Sequence, residues 1–237
     1  MTRVALICQL ILGAIKKEQA SRHLISVDEK TGIQALKRIA EAQGMQIGKC
    51  RRIEYEYERK GTICLMAALD VGQGKIAHHR LNDTRNEADF LTFVRETVRK
   101  FPANHEIIFM ADQLNTHMSA SLVEWVAAEI GFKGSLGKKK YSGILKSMET
   151  RKHFLENPHH RIRFVYTPKH CSWLNPIENW FAKLQRHVIK YGDFSTVEDL
   201  CNKIVAYIEY YNECLSKPLK WKFKGFTKNK KFRYLQT

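Results

Sequence analysis

The chain has 237 residues, with 40 Lys or Arg against 24 Asp or Glu, a formal net charge of +16. That length suits one large domain able to bury its own core, and a hydrophobic fraction of 44% excludes disorder as the main state. No apolar run reaches the roughly 18 residues of a membrane span. The charge excess points to a polyanionic partner, nucleic acid first and an acidic membrane surface more weakly.

In chain order, residues 4–15 are apolar after Arg3, like the core of a signal peptide. However, Lys16, Lys17 and Glu18 stand where a cleavage site needs small residues. Residues 1–22 therefore read as a linker or helix remnant. Leu24, Ile25, Ser26 and Val27 form a short strand that ends in Asp28 and Glu29, before a turn at Thr31 and Gly32. Residues 62–69 read as a buried strand closed by Asp70, Gly72 and Gly74, with 75–80 returning beside it. Phe90, Leu91, Val94 and Val98 give 86–100 a helical period. Residues 106–111 are the clearest buried strand and run straight into Asp112.

Ser119 caps a helix over 119–130 whose inner stripe is Leu122, Val123, Val126 and Ile130. Residues 131–147, rich in Lys and Gly, read as a mobile basic loop carrying Lys133, Lys138, Lys139 and Lys140. A strand over 161–166 and helices over 173–191 and 196–211 complete the pattern. Strands and helices mixed in this order predict an α/β fold, a central mixed sheet flanked by helices. From Leu215 onward there is no acid, and Lys217, Lys220, Lys222 and Lys224 interleave with Trp221 and Phe223. Residues 214–237 are either an arm that holds phosphates and stacks bases, or a solvated tail whose aromatics tuck onto the domain. The six cysteines, at 8, 50, 64, 171, 201 and 214, form no C-x-x-C pair and read as free thiols.

In so basic a chain, acids at strand ends stand out. Asp28 and Asp112 each follow an apolar run, and open α/β sheets gather ligands at that rim. On adjacent strands the two would be close enough to share a hard divalent cation. Taken singly, either is also an ordinary turn-forming Asp. Glu178 stands three residues after Asn175, with Pro176 between, which is capping-box spacing. Spacing alone leaves Glu178 open between cap and metal ligand. Asp70 precedes a hairpin turn and reads as structural. His117 reads as a solvent-facing loop residue, or one that orients substrate.

The segments Val27-Asp-Glu-Lys-Thr-Gly-Ile-Gln-Ala-Leu36, Asp112-Gln-Leu-Asn-Thr-His117 and Thr167-Pro-Lys-His-Cys-Ser-Trp-Leu-Asn-Pro-Ile-Glu178 stand in the order of a known set of motifs. Together they resemble the DDE transposases of the bacterial IS630 group, relatives of the Tc1/mariner class. The stretches 54–61 and 217–221 resemble that group as well, and the likeness runs from about residue 24 to residue 224. The resemblance implies a ribonuclease-H-like fold over 23–213, with Asp28, Asp112 and Glu178 as a catalytic triad holding two Mg²⁺ ions, for which Mn²⁺ substitutes. It implies cutting of double-stranded DNA at element terminal repeats, joining of the 3′-hydroxyls to target DNA, and a location with the bacterial nucleoid in the cytoplasm. No membrane association is expected.

The second motif departs from the usual Asp-Asn by having Gln113. The N-terminal helix-turn-helix domains of such transposases are expected to be missing, since only about twenty residues precede the first motif. A homodimer and a separate helix-turn-helix partner stay open. So do two other functions, a nuclease of this fold that joins no ends and a non-catalytic DNA-binding remnant.

Overall fold

The structure, a computed structural model, describes residues 2–40, 47–48 and 56–224. Its strands are β1 (Arg22–Arg38), β2 (Tyr57–Asp70), β3 (Lys75–Asn82), β4 (Glu106–Ala111) and β5 (Ile162–Tyr166). They form one sheet in the order β3-β2-β1-β4-β5. The first three strands are an antiparallel meander, and β4 and β5 run parallel to β1, giving the expected mixed sheet. Helices cover both faces, which is why the centre of β2 is apolar without alternation.

On one face Ile25, Val27, Ile107, Phe109, Phe164 and Tyr166 meet α2 (Glu87–Val98), α3 (Ala120–Glu129) and α4 (Met148–Leu155). The alternate strand positions face the other way. Leu65, Ala67 and Leu69 pack under α5 (Pro176–Leu184) and α6 (Val197–Tyr210). Leu24, Ile108, Met110 and Val165 pack under α1 (Arg3–Ile15).

The first helix is thus a structural member of the domain and not a loose remnant. Val4, Ile7, Cys8 and Ile11 are buried at the 1, 4, 5, 8 spacing of a helix face. Thr2 caps it, and the Arg3 Nε donates to the Tyr166 carbonyl at 2.9 Å. Ile11→Ala should therefore cost about 2–4 kcal/mol, the usual loss for a fully buried aliphatic side chain. Chemical denaturation measures it, and a loss under about 0.5 kcal/mol, the scale of a surface change, would contradict the packing of α1.

The first strand runs well past the predicted turn. Gly32 adopts φ +65°, and the register with β2 shifts between Lys30 and Ile33, so the chain bulges and continues instead of ending. Helix α4, unforeseen in the sequence, starts from a reciprocal capping box between Ser147 and Thr150. The predicted helix over 173–191 begins later, at Pro176, after a 3-10 turn over Ser172–Leu174, and ends in a π-helical turn over Gln185–Ile189. The basic stretch 131–147 is a loop, pinched by a bridge between Lys138 and Ser142 and anchored by buried Leu145. The described cysteines, 8, 64, 171, 201 and 214, are all unpaired; Cys50 lies outside the described residues.

Candidate active site

Two strands of unequal length build the rim. Pairing of β1 with β4 ends at Ser26 opposite Met110, and β4 itself ends at Ala111. Carried on in register, Asp28 is level with Asp112, on neighbouring parallel strands. Asp28 is therefore within a long strand, at the rim only because its neighbour stops. Alternation places Ser26 and Asp28 on the α5 face, and Glu29 on the opposite face.

Helix α5 is tied to that point of β1 by buried hydrogen bonds. Ser26 donates its hydroxyl to the Asn175 side-chain oxygen and accepts from the Ile177 N–H at 2.9 Å. The Asn175 amide donates to the Val27 carbonyl at 3.0 Å and to Asp28 Oδ2 at 3.2 Å. Asn175 stands at the N-cap position, but its side chain makes no cap bond. The capping-box reading of Glu178 is thereby removed, because the side chain it needs is engaged with β1. Glu178 stays half-buried in the first turn of α5.

Of the three acids, Asp28 senses the other two. Burial pushes the Asp28 carboxyl up to about 7, with the negative charges of Asp112 and Glu178 adding to it, against the Glu29 N–H that favours the charged form. Asp112 is held below the usual carboxylate range: burial opposes this, but a hydrogen bond and charge from His117 outweigh it, helped by the Leu114 N–H and by Arg85. Lys30, two residues beyond Asp28 on the same face, is lowered by burial and partly restored by Glu178.

His117 is not the solvent-facing loop residue expected; it is fully buried. Its Nδ1 lies 2.8 Å from Asp112 Oδ1 and its Nε2 lies 3.0 Å from Glu29 Oε1. Burial alone would lower its pKa, but the bonds to Asp112 and Glu29 push it up to about 10, so it is a cation between two carboxylates. Glu29 and His117 were missed as a pair because nothing in their spacing links residues on two different elements. The available signal was the Asp28-Glu29 doublet, which a strand must split between its two faces.

Gln113 does not reach toward the acids. Its amide donates to the Thr167 carbonyl at 2.9 Å and accepts from Lys152 at 3.1 Å, joining the end of β4 to α4 and to the segment after β5. Asp70 is structural as expected, its Oδ1 accepting from the Gly72 and Gln73 N–H groups of the hairpin.

The basic candidates fall in two places. Lys133, Lys138, Lys139 and Lys140 are exposed on the 131–147 loop. Lys217, Lys220, Lys222 and Lys224 are exposed on the segment after α6, while Trp221 and Phe223 between them pack against the α1 cluster. In residues 216–224 the aromatics are tucked onto the domain, as in the second sequence reading, and the lysines face outward; 225–237 lie outside the described residues. Gly74 permits the crossing of this segment over the β2–β3 hairpin, since a Cβ there would lie 2.0 Å from the Lys217 carbonyl oxygen. A cleft of about 650 Å³ opens between α5 and this segment, lined by Glu178, Lys183, Lys217, Lys220, Trp173 and Trp221.

Among the described residues no three His, Cys, Asp or Glu side chains are gathered tightly enough to hold one ion. The acids form an open rim, with Asp112 drawn toward His117 and Asp28 toward Asn175. Their chemistry nonetheless fits a hard divalent cation, since Asp28 is driven toward neutrality by burial and by the charges of Asp112, Glu178 and Glu29, which such an ion would offset.

The sheet order and the acids at its rim define a ribonuclease-H-like α/β domain. The sequence profile of the DDE superfamily endonucleases matches residues 23–201, and the chain belongs to that family. No curated protein matches it. Among solved structures it is similar to a Mos1 mariner paired end complex with Mn, at 14% identity and a TM-score of 0.53, over 87% of this chain and 54% of that one. The Mos1 strand transfer complex gives 12% identity and a TM-score of 0.53, over 90% and 53% of the two chains. The Mos1 mariner transposase catalytic domain gives 12% and 0.50, over 87% and 79%. At these identities the likeness establishes the fold, and the chain spans about half the length of the first two.

Proposed function

We propose that this chain is the catalytic domain of a DNA transposase that cuts double-stranded DNA at element ends and joins the freed 3′-hydroxyls to target DNA. The observation that carries the reading is the Asp28 carboxyl, pushed up to about 7 by burial and by the charges of Asp112 and Glu178. Such a trio is suited to hold Mg²⁺ or Mn²⁺, one ion or a pair, which when bound would polarise a phosphodiester and its attacking oxygen. Asp28 must give up its proton to ligate, and Asn175 holds its Oδ2 side in place. His117 keeps Asp112 charged. Lys183, Lys217 and Lys220 line the same cleft as Glu178, so a phosphate backbone laid there would pass that acid. Lys133, Lys138, Lys139 and Lys140 supply a second strip of positive charge, and Lys222 and Lys224 extend the first.

A strand-transfer assay tests the activity. The chain, Mn²⁺ and a duplex with a recessed 3′-hydroxyl should yield donor joined covalently to plasmid; cutting without joining would reduce the reading to a nuclease. Binding through phosphates also sets a salt dependence. Lys217→Ala and Lys220→Ala should each reduce the slope of log K against log salt by about 0.9 if each lysine neutralises one phosphate. Fluorescence anisotropy on a labelled duplex reads the slope, and an unchanged slope in both variants would remove the cleft from the DNA path.

A further inference from the structure

We infer that Glu29 and His117 form a positioning clamp that engages one carboxylate oxygen of Asp112, leaving the other to whatever the acidic rim holds. The inference rests on the metal-dependent reading of the rim and adds two residues outside the triad.

The Glu29 side chain is 4% exposed, on the face of β1 opposite Asp28. A carboxylate so placed needs a charged partner, and His117 Nε2 supplies it at 3.0 Å. Nδ1 of the same ring lies 2.8 Å from Asp112 Oδ1 and 3.3 Å from the Asp112 carbonyl. Carboxylates only accept, so both ring nitrogens donate. Oδ1 also accepts from the Leu114 N–H at 3.1 Å, whereas Oδ2 receives no hydrogen bond among the described residues. The two oxygens of Asp112 are therefore unequal: one accepts from the Leu114 N–H and is ion-paired with the His117 ring, and the other is free on a side chain 43% exposed.

The ring itself cannot swing. Phe90 packs against it at 4.2 Å between centroids, and the His117 carbonyl accepts from the Tyr166 hydroxyl at 2.7 Å. A buried carboxylate behind a histidine that orients a rim carboxylate is the arrangement by which outer groups tune a metal ligand.

Two substitutions separate positioning from mere packing. Asn at 117 places an amide N–H near the position of Nδ1 and keeps the donor to Asp112. Gln at 117 reaches the position of Nε2 and keeps only the link to Glu29. With the full chain and Mn²⁺, followed by electron paramagnetic resonance of the free ion, His117→Gln should weaken uptake about ten- to hundredfold. His117→Asn should stay within about threefold of wild type, the rescue expected of a positioning donor. Wild-type uptake in His117→Gln, or equal losses in both variants, would overturn the clamp.

Metal-free thermal unfolding, run alongside, identifies a variant that fails to fold. In that event Glu29→Gln carries the test, since it leaves His117 and Asp112 in place: uptake weakened by about threefold or more supports the clamp, and unchanged uptake overturns it. Absence of saturable Mn²⁺ uptake by the wild-type chain would instead overturn the metal reading, and the clamp with it.

Discussion

Asp28→Asn, Asp112→Asn and Glu178→Gln are each expected to reduce Mn²⁺-dependent nicking of duplex DNA by about a hundredfold or more, because a cation at the centre supplies several kcal/mol of charge stabilisation. Each change keeps shape and removes charge, so the core beneath the rim is untouched. Asp70→Asn is the matched control. Its Oδ1 has only to accept from the Gly72 and Gln73 N–H groups, which an amide oxygen also does, so nicking should continue at the wild-type rate. A supercoiled-plasmid assay reads all four. Full activity in Glu178→Gln would show that this carboxylate serves only the first turn of α5, where a negative charge favours the helix dipole.

The second large effect is on stability, and it has the opposite direction. With Asp28 at about 7 in the fold and 3.8 as its ordinary value, the folded chain holds the extra proton between those limits. Stability from this group is complete below about pH 4 and declines as pH rises toward 7, because the native state binds more protons than the unfolded one. A shift of about three units corresponds to roughly 4 kcal/mol at most, and relaxation of a rim group reduces that to about half. Asn at 28 keeps the Glu29 N–H bond but not also the Asn175 bond, at a cost of about 1 kcal/mol. The net gain, roughly 1 kcal/mol, should raise the Tm of metal-free Asp28→Asn by about 2–4 °C at pH 8, with no gain at pH 4. Scanning calorimetry at the two pH values reads it. A variant less stable than wild type at pH 8 would mean that burial and like charge do not penalise the Asp28 carboxylate.

Adding Mn²⁺ should reverse the order, raising wild type above the variant, since a ligand stabilises the state that binds it. Metal uptake by the wild-type chain should likewise strengthen from pH 6 to pH 8, because the ion must displace the Asp28 proton. Burial and like charge at Asp28 thus lower the stability of the metal-free fold as pH rises.

The strands and the acids were legible in the sequence for one reason: a carboxylate after an apolar run is a local pattern. Asp112 follows Glu106–Ala111 in sequence and in space alike. Asp28 was found by the same rule, although the strand does not end there; the bulge at Gly32 lets β1 continue where a turn was expected. Glu178 was legible in position and open in role, and the absence of a capping box shows only once the partner of Asn175 is known. That partner, Ser26, is far along the chain, and so are the two ends of the Glu29–His117–Asp112 link. Long-range polar contacts leave no periodicity to read. The packing of α1 was hidden for a related reason, since an apolar helix face shows that something covers it but not that Leu24, Ile108 and Val165 do.

The central claim, that Asp28, Asp112 and Glu178 make one cation-holding centre, is tested most directly by titrating Mn²⁺ into the metal-free wild-type chain and into the Asp28→Asn, Asp112→Asn, Glu178→Gln triple variant at pH 8. Saturable uptake by wild type and its loss in the triple variant is the predicted result. Equal uptake by both would place the ion elsewhere and contradict the account.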